Sequence, residues 1–490
     1  MIRSVSLFVL LWLVMMVQTA LAVSAATPQA SLSGVEISLN AQMIDLTLSD
    51  AVLLGLRGNR SIRSAYLERI AQKFDLRVAE DRFTPKLVLS SRYLASRNQG
   101  DGYQRGEVIP QSTWVSEYGT RVSLSWSSQL TQANQGGRVR SDGVTFTVIQ
   151  PLLRGAGHEI AAAPVRLARL AEQSNRLGLK ATVSDTVTQV ITAYRELLRA
   201  QEQMKITHAA LERSRQLLAA NQAMIIAGRM AEYEIVQTEA DVATQELGVE
   251  EAANQLEASR LDLLRLLALD LHTQIRSVDT LDVTRIELGL AEALTIAREQ
   301  QPAYLTQLII AEQAAINLAI ARNDRLWDVS LVGGATQARD LYPSDTGYGT
   351  TRSWEGYAGI QIDIPFGDLS RRQAEVRAKV DVENQDVRLA EIRQLLERDV
   401  GDAVRNLGTR WRQYEIAQRA RDLSRRKLDI EREKLQVGRS SNFQVLSFES
   451  DLRNAESARL NALIAYLNTQ THLDRTLGTT LESWDIGLND

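Results

Sequence analysis

Residues able to do covalent or metal chemistry are few in this chain. Its 490 residues include four histidines and no cysteine, which excludes disulfides and an acyl anchor on an N-terminal cysteine and leaves little from which to build a metal site. No nucleophile sits near a matched base, and no spacing of ligand residues suggests a metal. Gly155-Ala156-Gly157 precedes a helical stretch, but a phosphate turn would want a third glycine and an acidic partner on a following strand. An enzyme is not expected, and neither is a cofactor. A net charge of −4 and a pI near 5.8 provide no basic excess for nucleic acid. The polar side chains that do recur in order are Gln201, His208, Arg215 and Gln222, seven apart, and these lie on a helix.

That helix belongs to the stretch around which the chain is organised, from His158 to about Leu269. After Pro164 no proline occurs until Pro302, and an interior proline costs a helix about 3 kcal/mol, so nothing forces a stop. Val183, Val190, Leu197, Met204, Leu211, Leu218 and Ile225 form a seven-residue series that keeps one apolar seam against a neighbour. A second series, Ile235, Val242, Val249, Leu256 and Leu263, follows Gly228. Ala227-Gly228 therefore reads as the turn of an antiparallel pair, because glycine accepts the left-handed conformation that ends a helix. The first arm would be on the order of 100 Å long. Its companion seam begins with Val187 and Tyr194 and then turns polar, as a solvated coiled-coil surface or the wall of a water-filled tube would.

At the N-terminus, Arg3, the apolar run Val5 to Val17 and Thr19-Ala20-Leu21-Ala22 read as a cleaved secretory signal over residues 1–22, with cleavage between 22 and 26. No other stretch approaches the roughly 20 apolar residues of a membrane helix, so membrane insertion would use strands. Residues 46–85 read as a helical segment, with Ser49 as N-cap of its first helix and a break at Asn59. Over 86–150 the period changes to two. Leu87, Leu89 and Tyr93 form one run; a loop rich in Gly, Arg and Gln follows; then Val122, Leu124 and Trp126 alternate with serines, and Val144, Phe146 and Val148 with threonines. A half-buried sheet and a membrane barrel both give this pattern. The signal peptide and the long helices favour the barrel.

The plan then repeats. Ala291-Glu292-Ala293-Leu294 stands against Ser49-Asp50-Ala51-Val52 at an offset of 242, Pro365 against Pro151 at 214, and Gly438, Phe443 and Glu449 against Gly228, Tyr233 and Glu239 at 210. The drop from 242 to 214 leaves 28 extra residues in the first strand region. The organisation expected is thus a hairpin over 158–270, a helical segment over 286–326, strands over 327–365 and a second hairpin over 369–478. Few strands per repeat cannot close a barrel alone, so closure should belong to several chains.

Two copies of helix, strands, turn and long hairpin resemble the TolC family of outer-membrane efflux and secretion channels. The likeness runs from about Leu46 to Gly478. It is carried by Gln150-Pro151-Leu152-Leu153-Arg154-Gly155, Ile364-Pro365-Phe366-Gly367, and the tips Ala227-Gly228-Arg229-Met230-Ala231 and Val437-Gly438-Arg439-Ser440-Ser441. The resemblance implies a mostly α, internally duplicated homotrimer. Its hairpins form a periplasmic α-barrel, and its strands form a shared twelve-stranded transmembrane β-barrel in outer-membrane lipid. It implies an exit duct for a tripartite efflux or type I secretion system. The duct would be gated at tips that meet a periplasmic adaptor, with Gly228, Arg229, Gly438 and Arg439 at the contact, and would be served by a proton-driven (RND) or ATP-driven (ABC) inner-membrane pump. Gln444 and Ser447 match the family's two entrance aspartates and carry no charge. Glu234 falls where the family often has an acid, so it is either one member of a ring of entrance carboxylates or a solvated helix-start glutamate. The alternative to a duct is a structural coiled-coil protein of the envelope, through which nothing passes. Drugs, metals and proteins all remain open as cargo.

Overall fold

A computed structural model describes residues 43–97, 102–134, 137–281, 283–344 and 347–488. The expected signal at 1–22 lies outside the described residues. A short strand β1 (Ile44–Leu46) leads into α1 (Leu48–Gly58) and α2 (Arg60–Glu80). The cap of α1 is Thr47 and not Ser49. The Thr47 hydroxyl accepts from the Asp50 N–H at 3.2 Å while the Thr47 N–H donates back to the Asp50 carboxylate at 3.3 Å, a reciprocal pair that places Ser49 inside the first turn. Asn59 ends α1 and caps α2, its Oδ1 accepting from the Ser61 N–H at 2.8 Å.

Four strands follow, β2 (Lys86–Arg97), β3 (Gly102–Val115), β4 (Arg121–Ala133) and β5 (Gly137–Pro151). A single turn at His158–Ala161 then opens the first hairpin, α3 (Ala163–Ile226) and α4 (Ile235–Leu267). Strand β6 (Ile275–Ser277) pairs in parallel with β1 and brings the link between the repeats back to the N-terminal segment. The second repeat consists of α5 (Leu290–Gln300), α6 (Pro302–Asp324), β7 (Asp328–Ser344), β8 (Gly347–Asp363), α7 (Leu369–Gln436) and α8 (Asn442–Leu477).

One antiparallel sheet runs in the order β2-β3-β4-β5-β7-β8 and leaves β2 and β8 as open edges. Two sequence expectations change here. Residues 102–115, read as loop, form a strand, and the 121–126 run belongs to a full strand of 13 residues. A twelve-stranded wall from three chains needs four strands each, and this sheet holds six. The β3–β4 hairpin accounts for the surplus. It inserts two strands, so β5 still returns toward the helices.

A third change concerns α6, which by length and composition could cross a membrane, contrary to the sequence reading. It lies in the helix bundle, with Ala314 and Ile316 buried and Gln307 Nε2 donating to Gln385 Oε1 of α7 at 2.9 Å. A helix flanked by α3 and α7 is apolar on more than one face because it has more than one neighbour. Trp354 and Tyr357 sit mid-strand in β8.

The core is concentrated where the short helices meet the long ones. Val190, Tyr194, Leu197, Leu263, Leu264 and Leu267 pack with Leu46, Ala51 and Ile275. Leu396, Val400, Leu407, Tyr466 and Leu473 pack with Ala293 and Ala297. The Tyr194 hydroxyl bonds both to the Leu46 carbonyl at 2.8 Å and to Asp279 at 2.7 Å, so β1 and the linker are tied to the middle of α3. Burial and the Asp279 carboxylate push the Tyr194 phenol far above its ordinary value. It stays a donor.

Candidate functional site at the hairpin tips

Far from this core the two hairpins end in nearly identical turns. At the first, the Gly228 N–H bonds the Ile225 carbonyl at 2.9 Å and the Arg229 N–H bonds Met224 at 2.8 Å. At the second, Gly438 bonds Leu435 at 3.0 Å and Arg439 bonds Lys434 at 2.8 Å. This double bond pattern needs the residue after the helix in the left-handed region, and Gly228 (φ +67) and Gly438 (φ +71) supply it. Nothing crowds either glycine. Arg229 and Arg439 are exposed beside them.

Behind the turns lies a buried polar knot. Asn221 of α3, Thr238 of α4 and Asn442 of α8 are at most 1% exposed. Asn221 Nδ2 donates to Thr238 Oγ1 at 2.8 Å and to Asn442 Oδ1 at 2.9 Å, and Asn442 Nδ2 donates to Thr238 Oγ1 at 2.8 Å. Asn442 Nδ2 also reaches the Glu234 carbonyl oxygen at 3.5 Å. Three helices from two hairpins thus meet through amides and a hydroxyl. Two turns further in, Glu449 of α8 takes Arg213 Nε of α3 at 2.9 Å and Arg432 of α7 as well. Glu431 accepts from Ser440 at 2.6 Å and from Lys434 at 3.1 Å, and these bonds hold its carboxyl below the usual range. The apolar part of this region is a small cluster, Leu217, Leu428, Val445 and Leu452.

The structure sets Glu234 and Gln444 at neighbouring helix starts, both half-buried, and Ser447 one turn on and exposed. Sequence reasoning did not find Asn221, Thr238 and Asn442, because Asn442 comes from a segment more than 200 residues from the other two. Glu449 was visible only as a repeat match. Among the described residues no group of histidines and carboxylates that could hold a metal occurs.

Such a molecule, with one six-stranded antiparallel sheet and two helical hairpins whose first arms run for 64 and 68 residues, has the architecture of an outer-membrane channel. Residues 294–479 match the family model of the outer membrane efflux proteins. Among solved structures, the CmeC outer membrane channel of Campylobacter jejuni superposes with a TM-score of 0.67 at 16% identity, covering 88% of this chain and 86% of that one. The open-state MtrE outer membrane channel of Neisseria gonorrhoeae gives 0.67 at 17%, covering 89% of each. The outer membrane protein VceC of Vibrio cholerae gives 0.66 at 16%, covering 88% and 96%. No curated protein matches by sequence. The chain has the fold of these outer-membrane channels, and its second half, residues 294–479, is similar to the outer membrane efflux proteins.

Proposed function

We propose that three copies of this chain close into one ring, a gated, water-filled conduit whose periplasmic tips dock an adaptor and, through it, a proton-driven or ATP-driven inner-membrane pump. One observation carries the ring. Both sheet edges are open, and the helix next to each edge shows an uncovered apolar stripe: Leu67, Ile70, Phe74 and Val78 on α2 beside β2, and Val376, Val380 and Val387 on α7 beside β8. Edge strands with free N–H and C=O groups cannot face lipid unpaired. The β8/α7 flank of one copy meeting the β2/α2 flank of the next covers both in a head-to-tail ring. Three is the number the TolC resemblance implies.

At the tips, Ile226, Tyr233, Val437 and Phe443 are exposed beside Gly228, Arg229, Gly438 and Arg439, an apolar and basic surface suited to an adaptor. The MtrE channel, similar in fold, is described in an open state, which supports a conduit with more than one tip arrangement. Three copies of Glu234 around the entrance would favour cations, with Gln444 and Ser447 as uncharged neighbours. Purified protein in a planar bilayer tests the duct: discrete, reproducible current steps are expected, with cation preference reduced in Glu234→Gln. A protein without current steps would be a rod. Equal selectivity in both proteins would leave Glu234 a solvated glutamate.

A further inference from the structure

We infer that the β3–β4 hairpin is part of the membrane wall, so that each chain contributes six strands and the assembled barrel has eighteen, with an exit as wide as the helical tube beneath it. The inference rests on the threefold ring proposed above.

The hairpin has the two-sided character of a spanning strand pair. On β4, Val122, Leu124 and Trp126 stand opposite Val148, Phe146 and Val144 of β5, and Leu124, Trp126, Val144 and Phe146 are all exposed in the single chain. The other face of β4 is Arg121, Ser123, Ser125, Ser127, Gln129 and Thr131. Apolar outside and polar inside is what a wall between lipid and water requires. Strand β3 is less apolar, and its ladder to β4 skips Ile109 and Pro110, where proline offers no N–H. It nevertheless pairs with β2 along the whole length of β2.

The apolar band also crosses the sheet as a tilted wall demands. Leu124 and Phe146 are opposite each other. In the same register row stand Leu87 on β2 and Gly356 on β8. The band on β2 centres on Leu89, two residues toward the cell exterior, and on β8 it centres on Ile360, four residues toward the periplasm. A slide of about six residues at about 3.3 Å over five gaps of about 4.8 Å is a tilt of about 40°, within the usual range for membrane barrels.

Width follows from the count. At that tilt each strand takes up about 6.3 Å of circumference, so twelve strands make a ring about 24 Å across and eighteen one about 36 Å across. Twelve helices about 9.5 Å apart also make a ring about 36 Å across. At this tilt eighteen strands match the bore of the twelve helices.

The native chain has no cysteine, so introduced pairs read cleanly. Val88, Gln111, Ser125 and Thr145 lie in one register row on the polar face. In outer-membrane protein, the pairs Val88→Cys with Gln111→Cys and Ser125→Cys with Thr145→Cys should oxidise within one polypeptide, and Val88→Cys with Thr145→Cys should not. Imaging the unmodified assembly by electron microscopy should show eighteen strands, a barrel about 1.5-fold wider than twelve would give. A Val88–Thr145 disulfide, or four strands per chain, would overturn the inference. Six strands per chain in a particle with another number of copies would sink the threefold ring instead.

Discussion

The middle of the helix bundle and its tips are held together by different chemistry. Where the long helices pass the short ones, the contact is apolar and dry: Val183, Val187, Val190, Ile191, Leu197, Leu263 and Leu264 are at most 2% exposed. At the tips, the hairpins meet through Asn221, Thr238 and Asn442 and through Glu449 between two arginines. Separating an apolar seam exposes surface at about 25 cal/mol per Å². Separating a hydrogen-bonded one returns its groups to water, and each bond contributes only about 0.5–1.5 kcal/mol net. The middle is therefore a clamp and the tips a junction that can be parted, as the gate proposed above requires.

The contrast can be broken from either side. The largest effect is expected from Leu264→Ala, which opens a cavity in the clamp and costs about 2–5 kcal/mol. The temperature at which the assembly dissociates in detergent should drop clearly, with little change in current through surviving channels. A middle effect should follow from making the junction apolar, with Asn221→Leu, Thr238→Val and Asn442→Leu together. Thermal stability should hold or rise, because well-packed apolar groups replace buried polar ones at little cost. Export should fall by about tenfold, because parting the tips now exposes apolar surface. Unchanged export would move the gate elsewhere.

The smallest effect sharpens the comparison within the clamp, which holds a charged pair, Asp474 and Arg195, at odds with its dryness. Burial pushes the Asp474 carboxyl up to about 6 from 3.8, against the pull of Arg195. Arg195 is itself lowered to about 10 by burial, and it donates to the Leu467 carbonyl at 2.5 Å and to Thr471 at 2.8 Å. Between pH 3.8 and 6 the folded chain holds a proton that the unfolded chain has released, so stability declines as pH rises through that window. Asp474→Asn should therefore raise the melting temperature at pH 7.5, on the order of 2 °C, and the gain should vanish below about pH 4. A gain of equal size at both pH values would trace it to packing.

Much of this fold is legible in the sequence because its signals are local. Proline-free stretches, seven-residue series and the two tip glycines each act within a few turns, and the repeat presents them twice. Strand β3 is hidden because Gly102, Gly106 and Pro110 erase its alternation, and its extended form is imposed by β2 and β4. The true cap of α1 was available in the Thr47-Leu48-Ser49-Asp50 pattern. The tip knot was not, since an asparagine inside a helix looks like any solvated residue until another helix supplies its partner.

The bare flanks of α2 and α7 also bear on the life of the protein before it reaches its place. In the proposed ring these flanks are covered, so a copy not yet assembled presents Leu67, Ile70, Phe74 and Val78 to water and is expected to be sticky and open to proteases, with survival rising with local concentration. Biogenesis is thereby a race between finding siblings and being cleared.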